Sequence, residues 1–217
     1  LKKRVIQKEL PVSPDVANLF ETDKESKTNR IGLSISFQIE RQYSGEISYV
    51  EFISSLCQYI YKKTNAEIVL IPNQTLSQNA RDDVMISKEI FKLLQKEHVN
   101  VQLVDICRLN SSEVKKIISS CEVLVGSRYH SCVAALSSGV PVLAIGWHYK
   151  YKELMELYLQ DDMQISATNV NITDVICKFD ELWRTRSERE DTINNLIPIV
   201  KESVIKSAEA ILQKYEK

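Results

Sequence analysis

The sequence predicts an α/β fold: a Rossmann-like parallel sheet with helices on both faces, ending in long helices. Two observations predict it. Strand-like and helix-like patterns alternate at regular spacing from Asn29 to Gly146. The strand-like runs are also continuously apolar instead of alternating, as expected of strands covered on both sides. The longest apolar runs fall well short of the ~20 residues that span a bilayer, so they read as core.

The elements follow in order. "NRIGLSISF" (Asn29–Phe37) suits a buried first strand. "EISYVEFISSLCQYIYKKTN" (Glu46–Asn65) carries Val50, Ile53, Leu56, Cys57 and Ile60 at three- and four-residue spacing, an amphipathic helix. "AEIVLIP" (Ala66–Pro72) is the second strand, stopped by its proline. "ARDDVMISKEIFKLLQKEH" (Ala80–His98) is the second helix, with Asp82 and Asp83 suited to its first turn. "VNVQLVD" (Val99–Asp105) is the third strand, and "NSSEVKKIISS" (Asn110–Ser120) a short helix opened by capping residues. "CEVLVG", "YHSCVAALSSG" and "VPVLAIG" supply the fourth strand, fourth helix and fifth strand. The remainder reads as helical: an apolar stripe over Thr168–Glu188, then a tail from Asp191 that Pro198 should kink or restart. The simplest role for that tail is packing on the chain's own sheet; the alternative is a reach toward a partner domain.

Composition narrows the function. The 217 residues are 44% apolar and 26% charged with a formal charge of −1, which suits an ordinary globular protein and argues against nucleic acid as a partner. Cys57, Cys107, Cys121, Cys132 and Cys177 occur singly within apolar segments and read as reduced, buried thiols, not as a metal site. The first residue is Leu1, and no signal-peptide pattern opens the chain. Residues 1–28 read as a lead-in from a missing N-terminal domain, and 29–217 as one Rossmann-like, donor-binding domain with C-terminal helices.

Chemistry concentrates after the fourth strand. Ligands of open parallel sheets gather beyond the carboxyl ends of the strands, where the turn "GSRYH" (Gly126, Ser127, Arg128, Tyr129, His130) lies. Gly126 allows backbone to approach a ligand or a helix to approach the sheet. The helix N-terminus favours an anion by up to ~1–2 kcal/mol. Arg128 offers a planar clamp for phosphate or carboxylate, or a partner for a nearby acid. His130 can deliver a proton or cap its helix. The fifth strand ends in "GWHYKYKE", where Lys150 can neutralise phosphate and Lys152 suits a solvent-facing position. Trp147 and His148 either line a pocket or cover the sheet edge.

The segment "SSEVKKIISSCEVLVGSRYHSCVAALSSGVPVLAIGWHYKYKELM" resembles the carboxyl-terminal half of the polysaccharide pyruvyl transferase family, whose signature joins G-x-R-x-H to A-L-x-x-G-V-P-V and a distal lysine. "VSPDVANLF" and "IPNQ…RDD" extend the likeness more loosely. The resemblance implies a two-domain enzyme of glycosyltransferase-B-like fold, the present chain being its C-terminal domain. It implies transfer of the enolpyruvyl unit of phosphoenolpyruvate to a sugar diol of a cell-surface glycan, free or lipid-linked, as a cyclic ketal. Such an enzyme would serve exopolysaccharide or cell-wall synthesis in the cytoplasm or at the inner face of the membrane. On this resemblance His130 is catalytic, while Arg128, Lys150, Gly126, Tyr129, Ser127, Ser36 and Arg41 belong to the donor site, with no metal or organic cofactor. The chain departs from the family at "GLSIS", where Ser36 takes the place of an arginine that Arg41 could replace from the loop, and at Asn73, where some relatives show histidine. The fragment alone is expected to be inactive.

Two other functions fit the same fold. A nucleotide-sugar glycosyltransferase would place a glutamate for the ribose hydroxyls near Ala134, which "CVAAL" lacks. A catalytically inactive binding domain would explain Ser36 but not the intact Gly126, Arg128, His130 and Lys150.

Overall fold

A computed structural model describes residues 13–23, 25–75, 81–168 and 170–215. Six parallel strands form the sheet: β1 (Arg30–Ser34), β2 (Glu67–Leu70), β3 (Val101–Leu103), β4 (Val123–Gly126), β5 (Val142–Gly146) and β6 (Gln164–Ser166). Their spatial order is β3-β2-β1-β4-β5-β6, the doubly wound arrangement whose direction reverses between β1 and β4. Across that switch Ser34 is in register with Gly126, and Gly126 with Ala144. The central strands are buried on both faces, as their unbroken apolar runs require.

The helices are α1 (Phe37–Glu40), α2 (Tyr49–Thr64), α3 (Asp83–Lys96), α4 (Ser111–Ser119), α5 (Tyr129–Leu136), α6 (Tyr149–Leu157) and α7 (Ile172–Tyr215). Local chemistry sets their starts. Ser48 and Glu51 form a reciprocal capping box on α2, Asn110 and Glu113 another on α4, and Asp82 caps α3. Gly32 lets β1 pack closely, since a Cβ there would lie 2.9 Å from the Cδ1 methyl of Leu124.

Several boundaries differ from the sequence pattern. The first strand stops at Ser34, and Phe37 instead begins a single helical turn. A short sixth strand extends the sheet where only helix was expected; three residues are too few to show periodicity. Pro198 does not restart the tail, because α7 runs unbroken through it. The stripe of Ile193, Val200 and Val204 is buried on one face across the proline, and that burial opposes the ~3 kcal/mol a mid-helix proline costs. α7 packs on α2, β4, β5 and the 3-10 turn Val16–Leu19, so the tail covers its own domain. Cys57, Cys121 and Cys132 are buried as expected, but Cys107 and Cys177 are exposed, one on a 3-10 turn and the other on the outer face of α7. Residues 1–12 of the lead-in and Ala80 of the expected second helix lie outside the described residues. Among the described residues no helix is long and apolar enough to cross a membrane.

Candidate functional site

The turn between β4 and α5 reaches the carboxyl edge of the sheet at the switch point, and the structure splits its polar residues between two environments. Arg128 is mostly buried, and its guanidinium meets Asp83, the first residue of α3, in a fork: Nε to Oδ2 at 2.8 Å and Nη2 to Oδ1 at 2.5 Å. Nη2 also donates to Gln74 Oε1 at 3.0 Å. Asp83 is fully buried and accepts three backbone amides besides, from Phe37 (2.8 Å), Gln74 (3.1 Å) and Asn73 (3.3 Å). One carboxylate thus ties α1, the loop after β2 and the turn after β4 together. Arg128 pairs with a nearby acid, one of its two expected roles, and among the described residues Nη1 makes no hydrogen bond.

Beside this fork lies a closed ring of hydrogen bonds. Asn73 Nδ2 donates to Ser34 Oγ, Ser34 Oγ to Ser131 Oγ, and Ser131 Oγ to Asn73 Oδ1, at 2.9, 2.9 and 2.8 Å. It joins the ends of β1 and β2 to the first turn of α5. A histidine at position 73 could not supply the amide oxygen and nitrogen that this ring uses together.

His130 stands outside these networks. Its side chain is 75% exposed, and Nε2 lies 3.8 Å from Asp15 Oδ2, at the start of the 3-10 turn Val16–Leu19. Both residues border an open cleft of about 890 Å³ between that turn, α4 and α5. Asn73, Gln74 and Ser131 form part of its polar lining, while Val16, Phe20, Leu109 and Val114 contribute apolar walls. The volume is that of a pocket for a small organic ligand. Lys115 of α4 reaches this cleft although only 5% exposed.

The remaining expected residues are placed as follows. Gly126 is demanded by packing, since a Cβ would lie 2.5 Å from Cys132 Sγ. The carbonyl of Ser127 accepts from the Tyr151 hydroxyl at 3.1 Å. Tyr129 carries Lys150 Nζ over its ring at 4.6 Å; Lys150 makes no ion pair among the described residues. Burial pushes the Tyr129 phenol up to about 12. Lys152 pairs with Glu156 along α6, at 3.6 Å. His148 caps α6, its Nδ1 accepting from the Lys150 amide at 3.3 Å, while Trp147 is half exposed. Ser36 is buried at the start of α1, and exposed Arg41 ends that helix with its guanidinium 5.9 Å from the Phe37 ring. His130 borders the cleft; Arg128 and Lys150 do not. Among the described residues no cluster of three His, Cys, Asp or Glu side chains could hold a metal ion.

Sequence reasoning did not single out the pairing of Asp83 with Arg128, nor Asp15, nor Lys115. One signal was present for the last: Lys115 stands three residues before Ile118, on the buried face of its helix.

Comparison with known proteins agrees with this architecture. No curated protein matches the chain. Among solved structures, a mutant O-GlcNAc transferase from Thermobaculum terrenum is similar in fold, with 12% identity and a TM-score of 0.59 over 88% of this chain and 37% of that one. The glycosyltransferase SnogD from Streptomyces nogalater aligns at 13% identity and a TM-score of 0.47, over 94% of this chain and 47% of that one. The chain therefore spans less than half the length of either. The model of the polysaccharide pyruvyl transferase family matches residues 1–149, a span that takes in β1 to β5, the Arg128–His130 turn and the Asp15 segment facing it. With two thirds of its length matched, this chain belongs to the polysaccharide pyruvyl transferase family.

Proposed function

We propose that this chain is the donor-binding part of an enzyme that moves the enolpyruvyl unit of phosphoenolpyruvate onto two hydroxyls of a glycan. The observation that carries the reading is His130: an exposed imidazole at the mouth of a cleft, one residue pair along the turn from a fixed guanidinium.

The chemistry asks for few groups. The methylene carbon of the donor must gain a proton and become a methyl group. One glycan hydroxyl then adds to the adjacent carbon, the C–O bond to phosphate breaks, and the second hydroxyl closes the ketal. One hydroxyl proton is consumed in net terms by the methyl group, and the other leaves with phosphate. His130 serves as the general acid for the first event, a role worth about 10²–10⁴ in rate. In this reading positive charge for the donor's phosphate and carboxylate comes from Nη1 of Arg128 and the ammonium of Lys150, which stand at the same turn but outside the lining of the cleft that His130 borders. Because Asp83 occupies the fork of Arg128, that residue acts through one nitrogen and not as a two-pronged clamp. The acceptor, free or lipid-linked, takes its remaining contacts from a further domain, and the reaction runs in the cytoplasm.

The test is His130→Ala in the complete enzyme. Ketal formation from phosphoenolpyruvate is expected to fall about 10²-fold or more, with an unchanged circular-dichroism spectrum and melting temperature. Undiminished turnover overturns the assignment.

A further inference from the structure

Lys115 is a buried cation that makes no ion pair among the described residues. Its side chain runs from α4 into the cleft wall, and its ammonium donates to two neutral acceptors, the carbonyl of Phe20 and Ser137 Oγ (2.8 Å). The Phe20 ring centroid lies 5.7 Å away. Glu21, whose charge acts on Lys115 from a distance, is already held in an ion pair by Lys201 of α7. A buried ammonium among neutral groups is unfavourable unless something compensates it. Burial, helped by repulsion from Lys201, accordingly pushes the Lys115 amine down to about 8.

The compensating group has a place to sit. The cleft opens beside Lys115, and its volume of about 890 Å³ exceeds what a three-carbon donor fills. Phe20, Leu109 and Val114 give it an apolar wall, and the amides of Asn73 and Gln74 lie on its polar side. The lining holds one carboxylate, Asp15, which lies 3.8 Å from His130 Nε2, while Ala134 adds none.

We propose that this cleft is an anion-binding site in which the Lys115 ammonium receives a phosphate or carboxylate group of a ligand whose body lies against Phe20, Leu109 and Val114. The anion belongs either to the donor or to an acidic group on the acceptor saccharide. The inference deepens the transfer reading above and rests on it for the choice of probes.

The test titrates the protein with phosphoenolpyruvate, glucose 1-phosphate, inorganic phosphate and, as a neutral control, glucose, by calorimetry and by NMR of the Asn73 and Gln74 side-chain amides. Losing a charge-assisted hydrogen bond corresponds to about ten- to a hundredfold in affinity. Lys115→Met is expected to lose that much for at least one organic anion, while Lys115→Arg stays close to wild type. Weakened phosphoenolpyruvate assigns the anion to the donor; weakened glucose 1-phosphate alone assigns it to the acceptor. Either outcome supports the site. Binding of inorganic phosphate alone, amide signals in wild type that no probe moves, or affinities equal in wild type and a folded Lys115→Met overturn it. Ketal formation surviving in Lys115→Met with both KM values unchanged removes this site and leaves the transfer reading standing. Anion binding at Lys115 in a complete enzyme that forms no ketal does the reverse.

Discussion

Replacing Asp83 by alanine tests the arrangement on which the turn after β4 depends. The carboxylate is fully buried and accepts five hydrogen bonds, two from Arg128 and three from the backbone amides of Phe37, Asn73 and Gln74. Arg128 is 19% exposed, so truncating its partner strands a largely desolvated guanidinium whose one remaining acceptor among the described residues is Gln74. Breaking a buried pair from one side costs about 3–5 kcal/mol. For a chain of this size each kcal/mol moves the melting temperature by about 2–4 °C, which gives a fall of about 6–20 °C. Thermal and urea unfolding followed by circular dichroism measure it directly. Asp83→Asn is also expected to destabilise, because every group facing the carboxylate is a donor and an amide presents one oxygen where two are needed. A loss below about 1 kcal/mol for Asp83→Ala would mean that water replaces the carboxylate freely, and the argument that Asp83 holds Arg128 in place would be wrong.

Two further outcomes follow from close packing and from burial. Gly126→Ala should cost about 1–3 kcal/mol through the 2.5 Å approach of the new Cβ to Cys132 Sγ; combining it with Cys132→Ala should recover much of that, and strict additivity within ~0.5 kcal/mol in a double-mutant cycle refutes the contact. Lys115 binds its proton less tightly in the folded chain, at about 8 against an ordinary value near 10.5. The unfolded chain therefore holds more protons between those limits, and stability rises with pH across that window by up to about 3 kcal/mol. Denaturant unfolding of wild type and Lys115→Met from pH 7.5 to 10.5 should show wild type gaining relative to the variant, and parallel curves refute it.

The sequence by itself determined the class of fold, because hydrophobic period and continuity are properties of neighbouring residues. Continuous runs such as "EVLVG" need cover on both faces, and the starts at Ser48, Asp82 and Asn110 are chosen by side chains that reach only two or three residues. The position of His130 on the ligand edge was legible for the same reason: a strand, a glycine and a helix follow one another locally. Tertiary structure alone decided which groups meet. Asp83 and Arg128 are 45 residues apart and Ser34 and Ser131 are 97 apart, pairings that no local pattern encodes. Nor could it show that Arg128 turns inward to a carboxylate while His130, two residues on, faces the cleft. That choice depends on where β1, β2 and β4 end relative to one another, and strand order sets that relation through space.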